Sequence, residues 1–137
     1  MPLPDARFPT QLRLVRSQSD VFSRKVEDEL YRFRRSGAPV SLVFLSFPLT
    51  SPFEINSVVD CGLRRLDFIG MLGGGDFAVC LPHTDCESAE RVAWRLRELT
   101  APFPGRIGVV TADGGETFEQ LLGAAKRHAK ARIGVAA

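Results

Sequence analysis

The sequence predicts an α/β (α+β) domain in which helices pack on a mainly antiparallel sheet. Three observations lead there. An apolar run, Val40 to Phe47, is rich in β-branched and aromatic residues on both faces. Two further apolar runs, F-I-G-M-L and F-A-V-C-L-P, flank a turn of glycines and one acid. Between and around them lie segments with apolar residues at helical spacing. The expected order is α, β, short α, β-hairpin, α, β, α.

Each element has its own signals. Residues 1–19 form a Pro- and Arg-containing lead segment with no clear period, in which Leu12, Leu14 and Val15 are the packing candidates. The domain proper is expected over residues 20–137. From Asp20, Phe22, Val26, Leu30 and Phe33 share one helical face, and S-G-A-P ends it. Pro48 ends the central strand. Leu49 to Ser57 reads as a loop, and Val58 to Asp67 as a short helix with Val58, Val59, Leu63 and Leu66 inward. After the hairpin, Thr84 and Glu87 have the spacing of a capping box for a helix that buries Ala89, Val92, Ala93, Leu96 and Leu99. R-I-G-V-V-T, Arg106 to Thr111, is a further strand. Thr117 caps a last helix through Phe118, Leu121, Leu122 and Ala125.

Composition narrows the function classes. With 137 residues, 45% hydrophobic and 25% charged, the chain can bury a core as one soluble domain. No apolar run reaches the ~20 residues of a membrane span. The N-terminus lacks the basic-then-apolar order of a signal peptide, which makes the cytoplasm the expected location. Cys61, Cys80 and Cys86 show no paired spacing, so buried reduced thiols are expected rather than a disulfide or zinc framework. The basic residues are 15 arginines and three lysines, but the net charge is only +2 and aromatics do not interleave them, which argues against a nucleic-acid polymer as partner. His128 falls on a solvated basic face with Lys126, Arg127 and Lys130, and Trp94 points away from the apolar stripe of its helix.

The whole order, from about Phe22 to about Lys130, resembles the GGDEF domain of diguanylate cyclases, which condense two GTP into cyclic di-GMP. F-S-R-K-V-E-D-E-L-Y-R-F-R-R-S-G-A-P-V-S-L-V-F-L is similar to the family's first helix and central strand. L-G-G-G-D-F-A-V-C-L-P-H-T-D is similar to the signature hairpin and its exit, and R-I-G-V-V and G-G-E-T-F-E-Q-L-L to the later strand and last helix.

The resemblance implies a disabled active site. The aspartate that ends the family's central strand is Ser46 here, and the signature G-G-D-E-F is G-G-G-D-F, Gly73, Gly74, Gly75, Asp76 and Phe77. One acid, Asp76, remains of three, too few to hold Mg²⁺ against a triphosphate. The segment that holds guanine and ribose has no counterpart between Pro48 and Arg64, and the last helix departs from the family's pattern around Lys126 and Lys130. No catalytic residue, metal or cofactor is expected.

The resemblance also implies a ligand site. The family's inhibitory site is an R-x-x-D five residues ahead of the signature, and Arg64-Arg65-Leu66-Asp67 stands at that spacing. Arginine grips phosphate or the O6/N7 edge of guanine bidentately, and a carboxylate accepts from guanine N1–H and N2–H. The expected function is a non-enzymatic cyclic di-GMP receptor using Arg64, Asp67 and Arg65, with Arg32, Arg34, Arg35 or Arg95 completing the shell. A protein partner would receive the signal, and a homodimer is possible in this family. The alternatives are a ligand-independent docking or dimerisation scaffold, or residual GTP binding or diguanylate cyclase activity.

Overall fold

A computed structural model describes residues 3–136, with side chains described over 20–129. Helix α1 (Leu3–Ser36) leads into β1 (Val40–Ser46), then α2 (Pro52–Asp60), β2 (Phe68–Gly73), β3 (Asp76–Pro82), α3 (Cys86–Leu99), β4 (Arg106–Thr111) and α4 (Phe118–Ala136). The order is the expected one. The strands lie as β2-β3-β1-β4, and every adjacent pair is antiparallel.

β1 organises the core because it is covered on both faces, and all seven of its residues are buried. The pleat sends alternate side chains to opposite sides. Val43, Leu45 and then Phe47 join Ile55, Val59, Phe77, Leu81, Val92 and Leu96 under α2 and α3. Val40 and Leu42 join Phe22, Val26, Leu30, Phe118 and Leu121 under α1 and α4. Gly108 lets α4 approach β4 closely, since a Cβ there would collide with the backbone of Ala125 and Ala129.

The helix ends follow local chemistry. Gly37 takes a left-handed conformation (φ 79°) and its N–H closes on Phe33 O at 2.8 Å, stopping α1. Thr117 caps α4 as expected, accepting from Gln120 N at 3.2 Å while Gln120 accepts from Thr117 N at 3.0 Å.

Several expectations are corrected. α1 starts at Leu3, well ahead of Asp20, so the 1–19 segment is not an aperiodic lead from Leu3 onward; the packing of Leu12, Leu14 and Val15 lies outside the described side chains. The short helix runs Pro52–Asp60 rather than Val58–Asp67. Ser51-Pro52 is a helix start, with proline at a position whose N–H would be unpaired in any case, and Ile55 and Val59 form its buried face. Leu66, expected inward, is 64% exposed. α3 is capped by Asp85, whose carboxylate accepts from Ser88 N at 2.8 Å, and Thr84 is buried for another purpose. Only Cys80 is buried, where desolvation pushes its thiol pKa far up; Cys61 and Cys86 are exposed. His128 is half-buried against β4 rather than solvated. Trp94 does face outward. No helix among the described residues is long and apolar enough to cross a membrane.

The turn before α4 carries a pH-sensitive contact. Burial opposes ionisation of Glu116, but its carboxylate accepts from Asp113 N at 2.8 Å and Gly114 N at 2.9 Å, and these bonds hold its pKa below the ordinary value of 4.5. A carboxylate with a depressed folded pKa stabilises the fold above its unfolded pKa and loses that contribution as pH falls through the folded one. Urea unfolding of Glu116→Gln should therefore show lower stability than wild type at neutral pH, with the difference shrinking below about pH 4. A difference that widened on acidification would contradict this contact.

Candidate functional site

Asp67 stands immediately before β2, and Arg64 three residues earlier, in a tight turn closed by Asp67 N donating to Arg64 O at 3.1 Å. The turn follows α2 rather than forming a helix end, which corrects the placement expected for this pair. The structure brings the two side chains together. Arg64 Nη2 meets Asp67 Oδ1 at 2.8 Å, Arg64 Nε lies 3.2 Å from Oδ2, and the Arg64 backbone N–H donates to Oδ2 at 2.8 Å. The Asp67 side chain has no solvent access, whereas that of Arg64 is 45% exposed.

The guanidinium is held from a second side. Arg64 Nη2 also donates to Thr84 Oγ1 and, at 3.2 Å, to the carbonyl of Pro82 at the end of β3. Thr84 Oγ1 in turn donates to Pro82 O at 2.8 Å. The bonds to Asp67 raise the Arg64 pKa further above its ordinary value, against an opposing effect of burial. Thr84 was legible only as a helix cap, because its partner lies twenty positions away. The signal for its freedom was Asp85, a better cap directly after it.

The structure also separates the accessory arginines. Arg65 is exposed on the same turn and makes no hydrogen bond or ion pair among the described residues. Arg95, on α3, donates to Gly62 O at 3.0 Å and so stands beside the turn. Arg32 pairs with Glu29, Arg34 reaches Gly114 O, and Arg35 bonds Tyr31, all along the C-terminal half of α1.

The signature turn lies at the other end of the hairpin. Gly73, Gly74 and Gly75 all have positive φ, which explains the glycine run. Gly75 (φ 86°) also has no room for a side chain, since a Cβ there would sit 2.6 Å from Pro48 Cα and 2.9 Å from Phe47 O. Strand register places Asp76 opposite Ser46, and Ser46 Oγ donates to Asp76 Oδ1 at 2.7 Å. Phe77 is buried in the core beneath α2 and α3.

Mg²⁺ requires several hard oxygen ligands. Here one hydroxyl and one carboxylate are bonded to each other, and no group of three or more His, Cys, Asp or Glu among the described residues could hold a metal. The donor set does not fit a divalent metal centre.

No family model matches the sequence, and no curated protein proves similar to it. Solved structures are similar at the level of fold. The GGDEF domain of TpbB (YfiN) from Pseudomonas aeruginosa superposes with a TM-score of 0.72 at 18% identity, over 82% of this chain and 83% of that one. The GGDEF domain of DgcB from Caulobacter crescentus, solved in complex with c-di-GMP, gives 0.67 at 15% identity, over 82% of each chain. The diguanylate cyclase SiaD from Pseudomonas aeruginosa, solved with its activator SiaC, gives 0.69 at 18% identity over 92% of this chain. This chain spans 64% of the SiaD chain, under two thirds of it. The fold is that of the GGDEF domains of diguanylate cyclases.

The crowding at Gly75 yields a direct expectation. Placing an acid there, Gly75→Asp, should cost about 1–3 kcal/mol in chemical unfolding through backbone strain and collision with Phe47-Pro48. It should add no Mg²⁺-dependent GTP turnover. A variant as stable as wild type, or one that turns over GTP, would contradict the account of this turn.

Proposed function

We propose that this domain is a catalytically silent GGDEF-fold module that binds cyclic di-GMP at the Arg64–Asp67 turn and relays its presence to a protein partner. The observation that carries the reading is the Arg64 guanidinium, aimed by Asp67, Thr84 and Pro82 yet 45% exposed. An arginine fixed in this way loses less side-chain freedom on gripping a phosphate or a guanine edge. Arg65 and Arg95, beside the same turn, are the accessory cations. With its side chain enclosed, Asp67 acts in this reading by holding Arg64 in place, and the exposed part of the guanidinium meets the ligand. The donor set at Ser46 and Asp76 supports the absence of cyclase chemistry.

The full enclosure of Asp67 favours a second reading, in which the ion pair only closes the turn and the domain is a ligand-independent scaffold.

Calorimetric titration of cyclic di-GMP separates the two. The receptor reading expects micromolar or tighter binding to wild type, about 8 kcal/mol or more. It expects at least tenfold weakening in Arg65→Ala or Arg95→Ala and loss in Arg64→Ala, with circular dichroism confirming that each variant folds. Absence of binding heat with wild type would leave the scaffold reading.

A further inference from the structure

The two edges of the sheet are treated differently. At the β4 edge, His128 Nδ1 lies 2.7 Å from Val109 O and 3.3 Å from Val109 N, so the ring occupies one of these backbone groups according to its tautomer. Val109 therefore points away from β1. Antiparallel ladders alternate hydrogen-bonded and non-hydrogen-bonded pairs, and this fixes the rest of the sheet. Val43, opposite Val109, must bond Val79 on β3. Val79 then faces away from Ile69, its partner on β2. The N–H and C=O of Ile69, and of Met71 two residues on, consequently point outward from the β2 edge.

Nothing among the described residues bonds to them, and β2 (F-I-G-M-L-G) carries no charge and no proline, the usual devices that blunt an edge. The Lys25 ammonium nearby sits over the Phe68 ring, 5.0 Å from its centroid. Met71 is 46% exposed and Leu66, just before the strand, 64%. A register irregularity between Met71 and Gly73 limits the usable edge to Phe68–Leu72.

We infer that β2 is a self-association edge, pairing antiparallel with β2 of a second copy of this chain about a two-fold axis at Gly70. That axis sets Ile69 opposite Met71 of the other copy, twice. Each pairing uses the outward N–H and C=O of both residues, giving four backbone hydrogen bonds and a continuous eight-stranded sheet. A second copy fits better than a foreign strand because the edge is uncharged. Self-pairing about a two-fold sets equivalent side chains near one another, and a charged edge would repel itself. Gly70 suits the centre, since its missing side chain leaves the space that the Phe22 ring fills from α1. The inference is independent of cyclic di-GMP binding and is tested without it.

The test is light scattering on the full chain at submillimolar concentration, with amide hydrogen exchange across β2. Wild type should show twice the monomer mass, with exchange at Ile69 and Met71 slowing as concentration rises. Met71→Pro removes one outward N–H and should return the protein to monomer with an unchanged far-ultraviolet spectrum. Met71→Lys, which keeps the backbone intact, should do the same should the proline variant lose its fold. A wild-type monomer at this concentration, or a dimer that survives Met71→Lys with no protection at Ile69 and Met71, would overturn the inference.

Discussion

A carboxylate with no access to water has to be neutralised, and the region around the turn depends on how Asp67 is neutralised. Its oxygens take the backbone N–H and guanidinium of Arg64, and that guanidinium reaches on to Thr84 and the end of β3. Two pieces of chain distant in sequence, the link from α2 to β2 and the exit of β3, are thereby tied at one point. Removing one partner of such a pair strands the other, so the arrangement is held more firmly than a surface ion pair of about 0–1 kcal/mol. The same bonds that close the turn aim an exposed cation at solvent. In the proposed receptor a structural pin and a binding group are one object, which is why stability and ligand recognition have to be measured separately.

At the far end of the hairpin the constraint is steric. The chain leaving β1 turns at Pro48 directly against Gly75, and Phe47 N donates to Gly75 O at 2.8 Å. An acid at position 75 and this path for Phe47-Pro48 exclude one another. Ser46 and Asp76 satisfy each other across the strands where a metal centre would need several carboxylates. A glycine at position 75 is thus required by the packing.

Much of this was legible in the sequence, for identifiable reasons. β1 was recognisable because burial on both faces leaves a continuous apolar run, and the hairpin because three consecutive glycines serve three positive φ values. α2 was misplaced because Val58, Val59, Leu63 and Leu66 imitate helical spacing, while its real start rests on Ser51-Pro52 and its burial on only Ile55 and Val59. Arg64 and Asp67 were found by spacing, but the hold of Thr84 and Pro82 on Arg64 was not, because those partners arrive from the exit of β3. His128 was read as solvated for the same reason: its partner is the backbone of β4, which carries no side-chain signal.

The central claim is the proposed recognition at the Arg64–Asp67 turn rather than at the glycine turn, Gly73 to Asp76. The most direct measurement is a nuclear magnetic resonance titration of cyclic di-GMP that follows arginine Nε–H and backbone amide signals. The account predicts shifts at Arg64, Arg65, Asp67 and Arg95, with Gly73 to Asp76 and Ser46 unchanged. Shifts confined to Ser46 and Gly73–Asp76, or none anywhere, would contradict it.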